Sequence, residues 1–230
     1  MAQGLHFGHA VGDGGDRGHA LVSAVVREIR LYVEGGGQSN STKGPFREGM
    51  DTFLRELRDC ARRKGIRWAI IACGGREQAF DAFQRGLRSH PTAFNVLLID
   101  AEAAVQDLPW SHLAAHDRWR QPANTADDQC QLMIQAMEAW LIADPAGLAR
   151  FYGQEFNAGA LPREIEPERI EKVRLASALL GATRHTQKGS YQKIRHGAAL
   201  LKHVDPAIVR RRVPSCERLF STLSDKMGGC

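Results

Sequence analysis

Three carboxylates stand in this 230-residue chain at places where acidic groups do chemistry. Glu34 closes the run EIRLYVE, and Asp100 and Glu102 close TAFNVLLIDAE. In type and number they suit a hard divalent cation. Mg²⁺ keeps most of its waters in a near-octahedral shell and takes one to three protein carboxylates beside a substrate phosphate. Mn²⁺ would accept the same ligands. An ion so held polarises a phosphodiester and activates water, and Glu34 could double as the general base. Gly35, Gly36 and Gly37 follow Glu34 and let backbone pass close to a phosphate without side-chain obstruction. The plainer alternative is that a Glu before three glycines is a solvated turn residue and Asp-Ala-Glu an exposed loop.

The elements that must position these groups decide between the two. Residues 28–33 alternate Ile29, Leu31 and Val33 with Arg30 and Tyr32, the period of a strand. From Phe46 the apolar positions Met50, Phe53, Leu54, Leu57 and Ala61 recur every three or four residues, giving one amphipathic helix ended at Gly65. Residues 66–75, IRWAIIACGG, form a nearly continuous apolar run, expected as a strand covered on both faces. A helix with Phe80, Phe83 and Leu87 inward follows, then a third strand over residues 92–102. Strands alternating with helices at this spacing predict an α/β fold with a parallel sheet and helices on both faces. Such sheets bind ligands outside the carboxyl ends of their strands. Glu34, Asp100 and Glu102 all fall there, which favours a site over a set of turns.

Further along, DDQCQLMIQAMEAWLIADP predicts a short strand at residues 131–134 and a helix over 135–143, with Glu138 facing outward from its first turn. Residues 184–196 form a basic loop with Arg184, Lys188, Lys193 and Arg195, Lys202 nearby and Tyr191 interleaved. That composition suits phosphates and a stacked base, or a solvated loop. The remaining C-terminal sequence is helical, with Asp205-Pro206 as an N-cap and first-turn proline. Leu219, Phe220, Leu223 and Met227 mark a last helix. The domains expected are an irregular leader at 1–27, an α/β core at 28–160 and a helical extension at 161–230 packed on it.

A strand ending in VEG, followed two units later by a strand ending in DAE, looks like the Toprim signature. With LYVEGGGQSN, ACGGREQAFDAF, LLIDAE, the Pro109-Trp110 pair, DDQCQLMIQAMEAWLIADP, GQEFNAGALP and KGSYQKIRHGAALL, the chain resembles small bacterial Toprim-like proteins grouped as domain of unknown function 4276. These are relatives of the RloB-type proteins and of the Toprim nuclease half of OLD-type enzymes. The match runs from about Arg30 to Leu201. The Toprim pair is usually Asp-x-Asp; here its second member is Glu102, one methylene longer and still able to ligate a metal.

The resemblance implies a Mg²⁺-dependent nuclease acting on DNA or RNA, with Glu34, Asp100 and Glu102 as ligands. It suggests Glu138 as a further metal ligand, against the alternative of a surface glutamate favoured by the helix dipole. It makes Gly35, Gly36, Arg76, Lys188, Tyr191 and Lys193 candidates for holding nucleic-acid phosphate, with Lys188 as a catalytic charge stabiliser. It also implies a role in bacterial defence against phage and an ATPase partner. That partner would be separate, because the chain has neither a GK[ST] phosphate loop nor GxGxxG. A non-catalytic effector working through that ATPase, and a nucleotide phosphohydrolase, are the alternatives.

Other chemistries lack a foothold. There is no GxSxG, no Cys-His signature and no HExxH, and His112 and His116 have helical metal spacing without a third ligand. Lys and Arg number 31 against 26 acidic residues, a net charge of +5 with a pI near 9.1, which suits a polyanion but is a mild excess. No apolar run approaches a membrane span. Five scattered cysteines without CxxC spacing, in a chain without a signal-like start, predict reduced thiols and a cytoplasmic protein. The leader's His6, His9 and His19 could form a metal-binding arm, and an oligomer is compatible with everything above.

Overall fold

The structure, a computed structural model, describes Met1 and residues 26–230. The glycine-rich stretch with His6, His9 and His19 lies outside the described residues. Four strands form one parallel sheet: β1 (Glu28–Glu34), β2 (Arg67–Gly74), β3 (Phe94–Asp100) and β4 (Cys130–Met133), in the order β2-β1-β3-β4. Helices α1 (Asn40–Phe53) and α2 (Arg55–Arg63) cover one face, and α3 (Arg76–Ser89) and α4 (Pro109–Asp117) the other. The result is the Toprim-like parallel-sheet α/β fold expected. The chain continues through α5 (Met137–Ile142), α6 (Pro145–Tyr152), α7 (Lys172–Thr183), α8 (Lys193–Leu201), α9 (Pro206–Arg212) and α10 (Pro214–Lys226). No helix among the described residues is long and apolar enough to cross a membrane.

The period-two alternation of β1 sorts its side chains. Ile29, Leu31 and Val33 join the core under α1 and α2, whereas Tyr32 joins Phe80, Phe83 and Trp110 on the opposite face. Burying each such aliphatic side chain contributes on the order of 2 kcal/mol. Every residue of β3 is buried, as befits a central strand covered on both faces. The C-terminal helices extend the larger core, where Phe53 stacks on Trp140 with centroids 5.5 Å apart and meets Phe220 edge-on. Asp205 caps α9 by accepting from the Ala207 N–H at 2.9 Å, and Leu219, Phe220, Leu223 and Met227 are all buried.

Two expectations need correction and a third is refined. The single helix from Phe46 to Ala61 is two helices, starting at Asn40 and interrupted at Leu54, where φ −92° and ψ 19° leave the helical range. The first turn, Asn40 to Lys43, is polar and lies ahead of Pro45, so it carries no apolar period; the Leu54 N–H still reaches the Met50 carbonyl at 2.9 Å, so the apolar stripe runs across the break. The run at 66–75 is the strand β2, covered on both faces as expected, with Ile70 in the core under α1 and α2 and Cys73 in the core under α3, but it lies at the edge of the sheet, which leaves Trp68, Ala69, Ile71 and Ala72 half-buried. Apolar composition reports side-chain chemistry and says nothing of sheet order. Finally, Cys60 and Cys230 form a disulfide across a Cα separation of 5.8 Å, while Cys73, Cys130 and Cys216 are free and buried. Positions 170 apart in sequence carry no local spacing signal, and the pair meets because α2 packs against α10.

Helices α1 and α8 approach each other through a glycine. A Cβ on Gly49 would lie 2.3 Å from the Ala198 carbonyl oxygen in α8, whereas one on Gly181, in α7, would make only ordinary contact, 3.6 Å from Ala160 Cβ. Gly49→Ala is therefore expected to destabilise by about 2 kcal/mol or more through overpacking. Gly181→Ala is expected to stabilise by roughly 0.5–1 kcal/mol through helix propensity and unfolded-state entropy. Urea denaturation of both variants distinguishes the two signs.

Candidate metal centre

The site forms where β1 and β3 end. At the end of β1 the register against β2 slips by one residue: Val33 pairs with Ala72 but Glu34 with Gly74. Such a bulge re-aims the side chain it precedes. Gly35 and Gly74 then exchange two backbone hydrogen bonds of 2.8 and 2.9 Å, locking the glycine turn to the end of β2. Gly35 has φ +138° and lies so close to Phe46 that a Cβ would come within 2.4 Å of the ring. Only glycine satisfies both demands there. Gly35 and Gly36 line the cavity beside Glu34, which has a volume near 340 Å³.

Asp100 ends β3 and is almost wholly buried. One carboxylate oxygen accepts the Met137 N–H at the start of α5, at 2.8 Å, and the other is held by the Lys193 ammonium. Two residues on, Glu102 adopts φ 68°, and its N–H donates to the Gln135 carbonyl at 3.0 Å. That left-handed residue turns the chain back over the sheet end and brings the Glu102 carboxylate to the Lys172 ammonium. One oxygen each of Glu34, Asp100 and Glu102 lies within 4.8 Å of the others. Three residues read from two strand ends are thus brought together.

The neighbours differ from what the sequence suggests. Glu138 does not face outward: it is buried, accepting from Tyr191 Oη at 2.8 Å and facing Lys193 Nζ at 3.3 Å. The reason is that α5 is a short helix enclosed on all sides, with its six residues buried, so its first turn has no solvent side. Tyr191 is not available for stacking a base, because its ring is buried and its hydroxyl is committed to Glu138. Lys188 is not brought to the carboxylates; its ammonium lies 5.3 Å from the centre of the Phe151 ring. Lys193 is at the site, as the first residue of α8 and not part of a loop. Arg76 is there too, opening α3, but Asp117 grips its guanidinium through two hydrogen bonds of 2.7 and 2.6 Å. Its remaining arm reaches the Asp100 carbonyl and stands 3.5 Å from Glu34. His112 Nε2 meets the Ala101 carbonyl oxygen at 2.9 Å and brings no ligand to the cluster.

Two functional residues escape sequence reading, Lys172 and Asp117. Lys172 sits in a segment whose pattern announces only a packing helix. One signal exists: Lys172 and Lys193 each occupy the first position of a helix, where the macrodipole disfavours a cation. A lysine placed there is balanced by carboxylates from elsewhere.

Electrostatics follow from burial. Glu34 is pushed up to about 7, first by desolvation and then by the Asp100 charge, with Arg76 and Lys193 pulling the other way. Burial also raises Asp100, opposed by Lys193. Although burial works against its charge, Lys193 is held above the ordinary lysine range by Asp100 and Glu138. The Tyr191 hydroxyl is raised by burial and by the Glu138 charge.

These features define a class: an α/β protein with a carboxylate cluster at the carboxyl ends of a Toprim-like parallel sheet, faced by lysines from two C-terminal helices. Residues 33–224 match the family described as domain of unknown function (DUF4276), and the chain belongs to that family. Comparison with curated proteins and with solved structures finds no match.

The raised Glu34 carboxyl ties stability to pH. Between about 4.5 and 7 the folded chain keeps a proton that the unfolded chain releases, so stability falls as pH rises through this window and the full penalty stands above it. Glu34→Gln removes that penalty. At pH 8 the variant is expected to be more stable than the native protein by up to about 3 kcal/mol, with the gain shrinking towards pH 5. Thermal melts across that range in metal-free buffer read the difference.

Proposed function

We propose that the protein is a divalent-metal-dependent phosphodiesterase of Toprim type that acts on DNA or RNA. The observation that carries this reading is the convergence of Glu34, Asp100 and Glu102 oxygens within 4.8 Å at the edge of a cavity also faced by Lys172 and Lys193. Hard oxygen donors of this number suit Mg²⁺ or Mn²⁺; bonds of about 2.1 Å place opposite ligands roughly 4.2 Å apart, so carboxylates spread over up to 4.8 Å would draw in by a few tenths of an ångström around the ion. Such an ion would supply Lewis-acid polarisation of a phosphoryl oxygen and an acidified water. The protein's own contribution is positional. Arg76, clamped by Asp117, fixes the end of β3 through the Asp100 carbonyl. Glu34 sits in the range where a carboxylate takes up and gives up a proton near neutrality. Lys172 and Lys193, now paired with carboxylates, would turn to substrate phosphate once the cluster's charge is otherwise balanced. Glu138, beside Lys193, is a candidate for a further metal ligand. The likeness to RloB-type and OLD-type proteins supports a place in bacterial phage defence alongside a separate ATPase.

A second reading has one observation in its favour. Every carboxylate of the cluster already has a cationic or N–H partner, so the fold is electrostatically complete without metal and could serve as a non-catalytic effector of that ATPase.

The deciding experiment is cleavage of supercoiled plasmid, linear DNA and RNA with Mg²⁺ or Mn²⁺ by the native protein, Glu34→Gln, Glu34→Ala and Asp100→Ala. Divalent-dependent cleavage falling at least a hundredfold in Glu34→Gln, a variant expected to fold, is the result anticipated. Absence of cleavage together with absence of metal binding by calorimetry would leave the effector reading. Calorimetry carries a further expectation: Mg²⁺ binding at pH 6.5 releases a proton from Glu34, seen as a heat that varies with the buffer's ionisation enthalpy.

A further inference from the structure

The two edges of the sheet are treated differently. β4, four residues long and wholly buried, lies under α10. β2 is eight residues long, has β1 as its strand partner among the described residues, and carries no proline and no charge from Trp68 to Gly74. Native sheets blunt such edges with charge, proline, bulges or a covering element. From Trp68 to Ala72, ahead of the bulge at Cys73, neither charge nor proline is present: Trp68, Ala69, Ile71 and Ala72 are half-buried apolar residues on an edge that no other strand pairs among the described residues, and the Trp68 indole N–H is buried without an acceptor among them.

The charges along this edge are arranged in a definite order. α1 runs antiparallel to β2, so two grooves of about 410 and 430 Å³ lie between them. Beside Ile70 to Ala72 the α1 wall is basic, with Lys43 and Arg47; beside Trp68 to Ile70 it adds the acidic Glu48 and Asp51. Ile70 and Arg47 belong to both grooves. A two-fold axis through Ile70, perpendicular to the sheet, would pair β2 antiparallel with itself, setting Trp68 against Ala72 and Ala69 against Ile71. The same operation lays the two α1 helices side by side and antiparallel on one face: Lys43 of one copy faces Asp51 of the other, and at the axis the two Arg47 side chains meet with a Glu48 from each copy beside them. Those carboxylates each use one oxygen on an intrachain partner, Lys202 or Arg58, and offer the second. An isologous interface requires this self-complementarity.

We propose that the β2 edge is a homodimer interface, in which antiparallel β2–β2 pairing joins two four-stranded sheets into one of eight strands. This inference does not depend on the metal centre or its chemistry.

Sedimentation equilibrium of the full chain tests it. A species of twice the 25.4 kDa chain mass is expected. Arg47→Glu, exposed and outside the cavity at the carboxylate cluster, is expected to weaken the dimer at least tenfold by gathering the carboxylates at positions 47 and 48 of both copies at the axis without a compensating cation. Arg47→Glu with Glu48→Lys restores it. Ile70→Cys is expected to cross-link to itself on oxidation, since directly opposed residues lie within disulfide reach. A monomer at hundreds of micromolar would overturn the proposal, as would a dimer indifferent to Arg47→Glu or one that fails to cross-link through Ile70→Cys.

Discussion

Asp100 is the residue through which the parts of this protein are joined. It ends the central strand, lies almost wholly buried, and would be costly to ionise there without compensation. The compensation comes from three directions: the Met137 N–H at the start of α5, the Lys193 ammonium at the start of α8, and Arg76 of α3 on its backbone carbonyl. Each partner belongs to a different element, so a single carboxylate fixes how the C-terminal helices sit on the sheet. Its own N–H donates to Glu34 at 3.2 Å, which couples the ends of β1 and β3. The constraint runs both ways, because the buried charge is tolerable only while those elements stay in place.

A chain of dependence extends outward from it. Lys193 is shared between Asp100 and Glu138, and Glu138 is in turn bound by Tyr191, only two residues before Lys193. The segment entering α8 is thereby pinned at both its aromatic and its basic residue. On the other flank Asp117 holds Arg76, and the Arg76 guanidinium lies 5.2 Å from the centre of the Trp119 ring. The polar site is thus framed by side chains whose remaining surface is apolar and packed, the arrangement that keeps functional groups in one geometry.

Most of the scaffold was legible because it rests on local periodicity. Ile29, Leu31 and Val33 announce a strand, Met50, Phe53 and Leu57 a helix, and the acidic residues at the ends of β1 and β3 fall where a parallel sheet keeps its ligands. What could not be read depends on juxtaposition. Nothing near Glu138 tells that α5 is enclosed, nothing near Tyr191 tells that its hydroxyl will find that carboxylate, and Lys172 is drawn to Glu102 from 70 residues away. Lys188 and Lys193 look alike in sequence and part company in space, one over Phe151 and one in the cluster. Cys60 and Cys230 are invisible as a pair for the same reason.

The bare contact between Gly49 and Ala198 acts as a mechanical stop. Ala198 lies five residues beyond Lys193 on α8, about 7.5 Å along the axis, so the distance at which α1 and α8 touch also sets how far the ammonium reaches towards Asp100. Any residue other than glycine at position 49 adds a carbon that acts as a wedge there, levering the start of α8 outward. Sequence drift at a position outside the carboxylate cluster would then detune the site before it unfolded the chain.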